Sequence, residues 1–219
     1  MKSFQLIIAT RNRIAKLERT LQSVPKLDYQ TICIICDGDI ESFNHFSGYR
    51  DDIVVRSIPE HKGSVFCRNV GIKYTQDGIL YATDDITFSP GSIQQAFELF
   101  NSTFFDDDGV VGFKQSRSTK DCPTGVALVG KKFLERYPNK QLFFPEYFHF
   151  SAQEIFRLCE RIKKPTFITN NDLSITHYHP GFIKEEMDQT HLDARLHHQK
   201  DRALSSARRA SGEVWGNYK

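Results

Sequence analysis

No apolar run in this sequence approaches the roughly 20 residues that a bilayer-crossing helix requires, so no transmembrane segment is expected. An excess of charge of one sign is also missing. The 29 Lys and Arg nearly balance 27 Asp and Glu, and the net charge of +2 creates no strong field demanding a nucleic acid or a membrane surface. Neither an internal repeat nor a low-complexity linker interrupts the chain, which argues against two independent domains. Cysteine is sparse, five in 219 residues, an odd number. Cys33 and Cys36 have C-x-x-C spacing but lie inside the apolar run TICIIC, which reads as a strand. Side chains three apart on a strand point to opposite faces, so the two sulfurs diverge and are expected as buried free thiols. No signal peptide is read at Met1-Lys2-Ser3, which runs straight into an apolar strand. Together these features lead to the expectation of a cytoplasmic protein.

Hydrophobic residues make up 39% and charged residues 26%, an ordinary globular composition long enough for one real core. Phe4 to Ala9 is a largely apolar run of the kind that forms a strand buried on both faces. The polar loop Thr10-Arg11-Asn12-Arg13 follows, then a helix through Leu17, Leu21 and Val24 that Pro25 stops. Further strands are expected over Thr31 to Cys36, Ile53 to Ile58 and Gly78 to Ala82, with helices over Gly63 to Tyr74 and Ser92 to Phe100. This alternation predicts a single α/β domain over 1–183 with a mostly parallel central sheet flanked by helices. Its second half is expected to carry strands over Gly109 to Lys114, Thr124 to Val129, Thr166 to Thr169 and Leu173 to Thr176. Helices are expected there over Gly130 to Tyr137 and Ser151 to Lys163. The remaining 184–219 reads as a polar, basic helical extension with a thin apolar stripe.

Ligands of such sheets sit beyond the carboxyl ends of the strands, where TRNR, DGD and TDD all fall. Asp84 and Asp85, adjacent at the end of an apolar strand, face a like-charge penalty that a cation or hydrogen-bond donors must offset. A hard divalent ion would do this with few carboxylates plus substrate phosphates; an Asp-rich turn capping the next helix is the plainer alternative. In HKGSVFCRNVG, Lys62 and the Gly63 backbone could meet a phosphate, with the helix N-terminus adding its dipole. Arg68 and Asn69, one turn further on, supply donors for a diphosphate, a ribose or the acidic turn; a surface helix with a salt-bridging arginine is the competing reading.

Taken in order, the TRNR loop, CDGD, HKGSVFCRNVGI and ILYATDDITFSPG resemble the inverting family-2 glycosyltransferases of the GT-A fold, closely over roughly the first 100 residues and more loosely to about residue 180. The resemblance implies transfer of a sugar from a nucleoside-diphosphate sugar to an acceptor hydroxyl, assisted by Mn2+ or Mg2+. It assigns Thr10, Asn12, Arg13, Asp37, Lys62, Arg68, Asn69 and Asp84 to donor binding and Asp85 to the metal. It implies His177, or alternatively His179, as the histidine completing the metal site. Gln153-Glu154 is similar to the family's acceptor motif, which makes Glu154 the general base, with Glu146 as fallback. Three positions depart from the pattern: Thr83, Cys36 and Gln153 stand where acidic residues are usual.

The resemblance implies a glycan or another hydroxyl compound as the acceptor. The basic C-terminal residues and the aromatic run Phe143 to Phe150 also allow a nucleic-acid acceptor such as a hydroxylated base in DNA. A nucleotidyltransferase would carry a Gly-rich loop after the first strand, and TRNRIAK has no glycine. A non-catalytic nucleotide-sugar-binding module of the same fold is the other rival.

Overall fold

The computed structural model describes residues 1–75, 77–115, 124–149, 153–180 and 187–219. The first half alternates as read: β1 (Phe4–Thr10), α1 (Ile14–Gln22), β2 (Gln30–Asp37), α2 (Ile40–Phe46), β3 (Ile53–Ile58), α3 (Ser64–Lys73) and β4 (Gly78–Thr83). There follow β5 (Ile86–Phe88), α4 (Ser92–Thr103), β6 (Val110–Gln115), β7 (Ala127–Val129), α5 (Lys131–Leu134), α6 (Gln153–Arg161), β8 (Phe167–His177) and α7 (Gln189–Ala210). The strands form one sheet in the order β3-β2-β1-β4-β7-β6-β8-β5. Pairs β1/β2, β1/β4, β2/β3 and β6/β8 run parallel, and β4/β7, β6/β7 and β5/β8 antiparallel. This is the single α/β domain with a mostly parallel sheet that the sequence predicts.

Alternation along the strands divides the apolar residues between two cores, one on each face of the sheet. Leu6, Ile8, Ile32, Ile34 and Cys36 enter one core, while Ile7, Cys33 and Ile35 enter the other. Both faces of β1 and β2 are therefore dry, which is why their sequences read as unbroken apolar runs. Burial pushes the Cys36 thiol up to about 12 and raises Cys33 as well.

The helix expected over Gly130 to Tyr137 and the strand expected over Thr124 to Val129 are shorter, α5 and β7, and three further elements differ from expectation. The two short strands expected between Thr166 and Thr176 are one strand, β8, whose pairing with β6 shifts register between Gly112 and Lys114. Helix α2 is additional: the Asp39 side chain accepts from the Ser42 N–H at 3.0 Å, and only Ser42 and Phe46 of the helix are buried. With so few buried positions it has almost no periodic signature. Strand β5 is also additional, a three-residue piece that pairs antiparallel with the end of β8.

That pairing brings His177 opposite Ile86, and thus next to the acidic turn between β4 and β5. Among the described residues no helix is long and apolar enough to cross a membrane.

Candidate functional site

The carboxyl ends of the parallel strands deliver the site. Thr10 ends β1, Asp37 ends β2, and Thr83 ends β4 immediately before Asp84 and Asp85. They open onto a cleft of ≈ 690 Å³ whose lining includes Thr10, Arg13, Asp37, Arg68, Asp84, Asp85, His177 and His179. Its far wall is α7, through Thr190, His191, Ala194, Arg195 and His198. The basic extension of the sequence is thus part of the cleft.

Asp84 and Asp85 are both buried, and they are compensated differently. Asp84 accepts from the Thr10 hydroxyl at 2.9 Å and from Arg13 Nη1 at 2.9 Å. Burial drives its pKa upward; Arg13 opposes the rise and neighbouring Asp85 adds to it. Burial alone would raise Asp85 too, yet His177, His191 and Arg13 outweigh it and hold Asp85 well below the usual carboxylate range. His177 Nε2 lies 3.1 Å from Asp85 Oδ1, and His191 Nε2 lies 3.8 Å from Asp85 Oδ2. His179 stands beside them, its ring centroid 4.8 Å from that of His191 and 5.4 Å from that of His177.

Arg13 is committed to carboxylates. Its Nε and Nη2 also donate to Asp188 at 2.8 and 2.9 Å, while Lys16 Nζ lies 2.9 Å from the same side chain. Asp188 is the N-cap of α7 and forms a capping box with His191. One guanidinium thereby locks the acidic turn to the start of the C-terminal helix. A second pin joins Arg11 to Asp193 at 2.7 Å.

Arg68 is the opposite case. It is 6% exposed and lines the cleft beside the acidic turn. Its Nε has no hydrogen-bond partner, and among the described residues no carboxylate forms an ion pair with it. Its guanidinium carbon lies 5.6 Å from the Phe143 ring centroid, and burial lowers the pKa of the group.

Asp37 organises the loop after β3. Its oxygens accept from Lys62 N–H at 2.7 Å, Gly63 N–H at 2.9 Å and His61 Nδ1 at 2.7 Å. Gly63 has φ +88, and a Cβ there would meet the Phe148 carbonyl at 2.6 Å, so only glycine fits this crossing.

Several expected side chains are not brought to the cleft. The Lys62 ammonium is exposed and pairs with Glu60 at 2.6 Å. Asn12 is exposed with φ 55, and its N–H donates to Asp39 at 2.6 Å. Asn69 clasps the Phe143 backbone, donating to its carbonyl at 2.8 Å and accepting from its N–H at 3.1 Å. Neither Glu154 nor the exposed fallback Glu146 lines the cleft.

Glu154 is buried, and its oxygens accept from Tyr147 Oη at 2.7 Å, Arg208 Nε and Nη2 at 2.7 and 3.1 Å, and the Trp215 N–H at 2.8 Å. A carboxylate so engaged has no lone pair directed at a substrate and is held below its ordinary pKa. In this geometry Glu154, the expected general base, anchors the end of α7 and does not line the cleft. The residues that sequence reasoning missed, His61, Asp188, His191, Arg195 and His198, include one local signal. Asp188 and His191 stand three apart at a helix start, the spacing of a cap.

Among the described residues no trio of His, Cys, Asp and Glu is preset as a metal cage. The donor set nevertheless fits a hard divalent ion that takes most of its ligands from a substrate. Asp85 Oδ1 is buried without a hydrogen-bond partner, and an imidazole nitrogen faces it at 3.1 Å.

No protein-family model matches the chain, and no curated protein matches it. Solved structures do. The mannosyltransferase PcManGT from Pyrobaculum calidifontis, in complex with GDP-Man and Mn2+, superposes with a TM-score of 0.61 at 13% identity, over 80% of this chain and 56% of that one. Residues 1–349 of S. aureus TarS give 0.58 at 14% identity, over 79% of this chain and 59% of that one. A longer S. aureus TarS structure gives 0.62 at 15% identity, over 79% of this chain and 36% of that one. The chain thus spans little more than half the length of the shorter of these structures. What it shares with them is the fold.

Proposed function

We propose that the protein is a glycosyltransferase that binds a nucleoside-diphosphate sugar in the cleft and passes the sugar to an acceptor hydroxyl. The observation that carries this reading is Arg68. A buried guanidinium that makes no direct ion pair with a carboxylate, and feels Asp84 and Asp85 only at longer range, is costly unless an anion completes the site. It lies beside a carboxylate pair, at strand ends where α/β sheets hold nucleotides. A diphosphate supplies the missing charge, and the GDP-Man complex of PcManGT offers a precedent of the same fold.

Asp85 and His177 are the residues that would hold Mn2+ or Mg2+, with substrate phosphates supplying further oxygen ligands. When bound, the ion supplies Lewis-acid stabilisation of the departing diphosphate. Asp84, bridged to Thr10 and Arg13, keeps the turn in register so that Asp85 faces the cleft. Thr10 and Arg68 are then donor-site residues, and Arg13 acts by bracing the carboxylates and α7.

A thermal-shift panel of nucleoside diphosphates and their sugars, with and without Mn2+, tests the reading, because a ligand that binds only the native state raises Tm by mass action. At least one nucleotide should raise Tm, and Mn2+ should enlarge the shift. A flat panel would sink the proposal. The engagement of Glu154 by Arg208, Tyr147 and Trp215 favours a second reading, a nucleotide-sugar binder without transfer activity. Slow metal-dependent release of the diphosphate from a donor that binds separates the enzyme from the binder.

A further inference from the structure

We propose that the outward face of α7 docks on a lipid surface bearing anionic headgroups, with its leucines inserted and its cations against the phosphates. This face lies beside the cleft and does not depend on what the cleft binds.

A surface helix ordinarily turns its apolar stripe toward the core. In α7 the arrangement is reversed. The residues it buries are polar: His191, Asp201 and Arg208. Asp201 accepts from the Phe148 and His149 N–H groups, and Arg208 pairs with Glu154. Of its leucines only Leu204 packs against a core. Leu192 and Leu196, one turn apart, are 43% and 80% exposed. At about 3.6 residues per turn, Leu192, Leu196, Ala203 and Ala210 fall along one outward line, and both alanines are exposed.

The flanks of this line are basic. Arg195, Arg202 and Arg209 recur at intervals of about two turns and form a row along one side, while Lys200 stands on the other. All four are exposed. The acids of the helix do not offset them: Asp193 pairs with Arg11 at 2.7 Å, and Asp201 is buried.

The charges decide what covers such a face. A second copy laid antiparallel across the leucines would bring the two arginine rows together with no acid between them, which is unfavourable. A nucleic acid would meet the cations and leave the leucines uncovered. An anionic bilayer surface takes both, because apolar side chains enter the boundary between headgroups and acyl chains while Lys and Arg meet the phosphates. Two leucines insert little area, so the binding is reversible and needs the charges. Arg195 belongs both to the row and to the cleft lining, so docking sets the cleft mouth beside the headgroups.

Flotation of the full chain with vesicles tests this, using phosphatidylcholine alone and phosphatidylcholine mixed with phosphatidylserine. The wild type should float with the mixed vesicles only. Raising salt from about 0.1 M to about 0.5 M, which shortens the screening length from about 10 Å to about 4 Å, should release most of it. Arg202→Gln combined with Arg209→Gln should weaken binding by about fivefold for each charge removed. Leu192→Gln combined with Leu196→Gln should weaken it by about tenfold or more and keep the unliganded Tm, since both side chains face solvent. Should that pair fail to fold, Leu196→Gln alone decides.

A wild type that ignores the mixed vesicles overturns the docking, as does binding that the leucine substitutions leave unchanged. Duplex DNA bound equally by wild type and leucine variant, with no vesicle binding, would give the face to a nucleic acid. A leucine-dependent dimer in analytical ultracentrifugation, again without vesicle binding, would give it to a second copy. Either result overturns the lipid assignment, and none of them bears on nucleotide binding in the cleft.

Discussion

A guanidinium buried as Arg68 is, with a lone Nε and no direct ion pair among the described residues, gives up hydration that Asp84 and Asp85 offset only in part. Removing its charge should therefore affect the free and liganded protein in opposite ways. Arg68→Met, close in volume and uncharged, should leave the unliganded Tm unchanged or higher while abolishing the shift caused by pyrophosphate. Differential scanning calorimetry with and without pyrophosphate reads both effects, and a variant that loses Tm but keeps the shift would contradict the assignment. The two adjacent aspartates offer a second comparison. Asp85 is held ionised by two histidines and Arg13, whereas burial raises Asp84. Asp85→Asn should therefore eliminate the additional shift caused by Mn2+, and Asp84→Asn should retain part of it. Equal losses would mean that the pair acts as one site.

Much of this was legible along the chain because parallel strands buried on both faces write apolar runs, and the residue ending each run stands at the site. Thr10, Asp37, Asp84 and Asp85 could be placed on that ground alone. What escaped reading is placement set by polar contacts from distant segments: α7 was expected as a helix, but its position along the cleft was not. Helix α7 buries few residues, among them His191, Asp201 and Arg208, and is positioned by Arg13, Arg11 and Glu154 from distant segments. Nothing near Glu154 announces partners 54 and 61 residues further on, so a glutamate opening an amphipathic helix reads as an active-site acid.

Its pairing makes a prediction about acid stability. Burial would raise the Glu154 pKa, but Arg208, Tyr147 and the Trp215 N–H outweigh it and lower it. A depressed native pKa gives stability that is complete above the unfolded value of about 4.3 and is lost as pH falls through the lower native value. Glu154→Gln should therefore cost about 1–3 kcal/mol at neutral pH, and the difference from wild type should shrink below about pH 4. Urea melts at several pH values check this; a gap that widens toward acid would exclude the anchor.

Across the whole molecule, α7 is a strut of 22 residues, about 33 Å long, pinned at both ends to opposite parts of the domain. Its first turn grips the β1–α1 loop through Asp188 and Arg13, and its last turn grips α6 through Arg208 and Glu154. Between these ends, Asp201 accepts from the Phe148 and His149 N–H groups at 3.1 and 2.8 Å, and Thr190 donates to the Arg11 carbonyl at 2.8 Å. Few of these contacts are apolar, so α7 is the element whose local opening should require the least free energy. Opening it also removes the far wall of the cleft. A nucleotide bound there must therefore hold the helix closed, by the same linkage that raises Tm. Trypsin should cleave the free protein first within α7, at Lys200, Arg202 or Arg209, which face outward. Saturating nucleotide with Mn2+ should slow cleavage by about the factor that ligand binding contributes to closing, roughly 100-fold at 100 times Kd. Mass spectrometry of the first fragments identifies the sites. If nucleotide raises Tm but leaves the rate of cleavage within α7 unchanged, the helix is not a wall of the nucleotide site, and the donor lies against the strand ends alone.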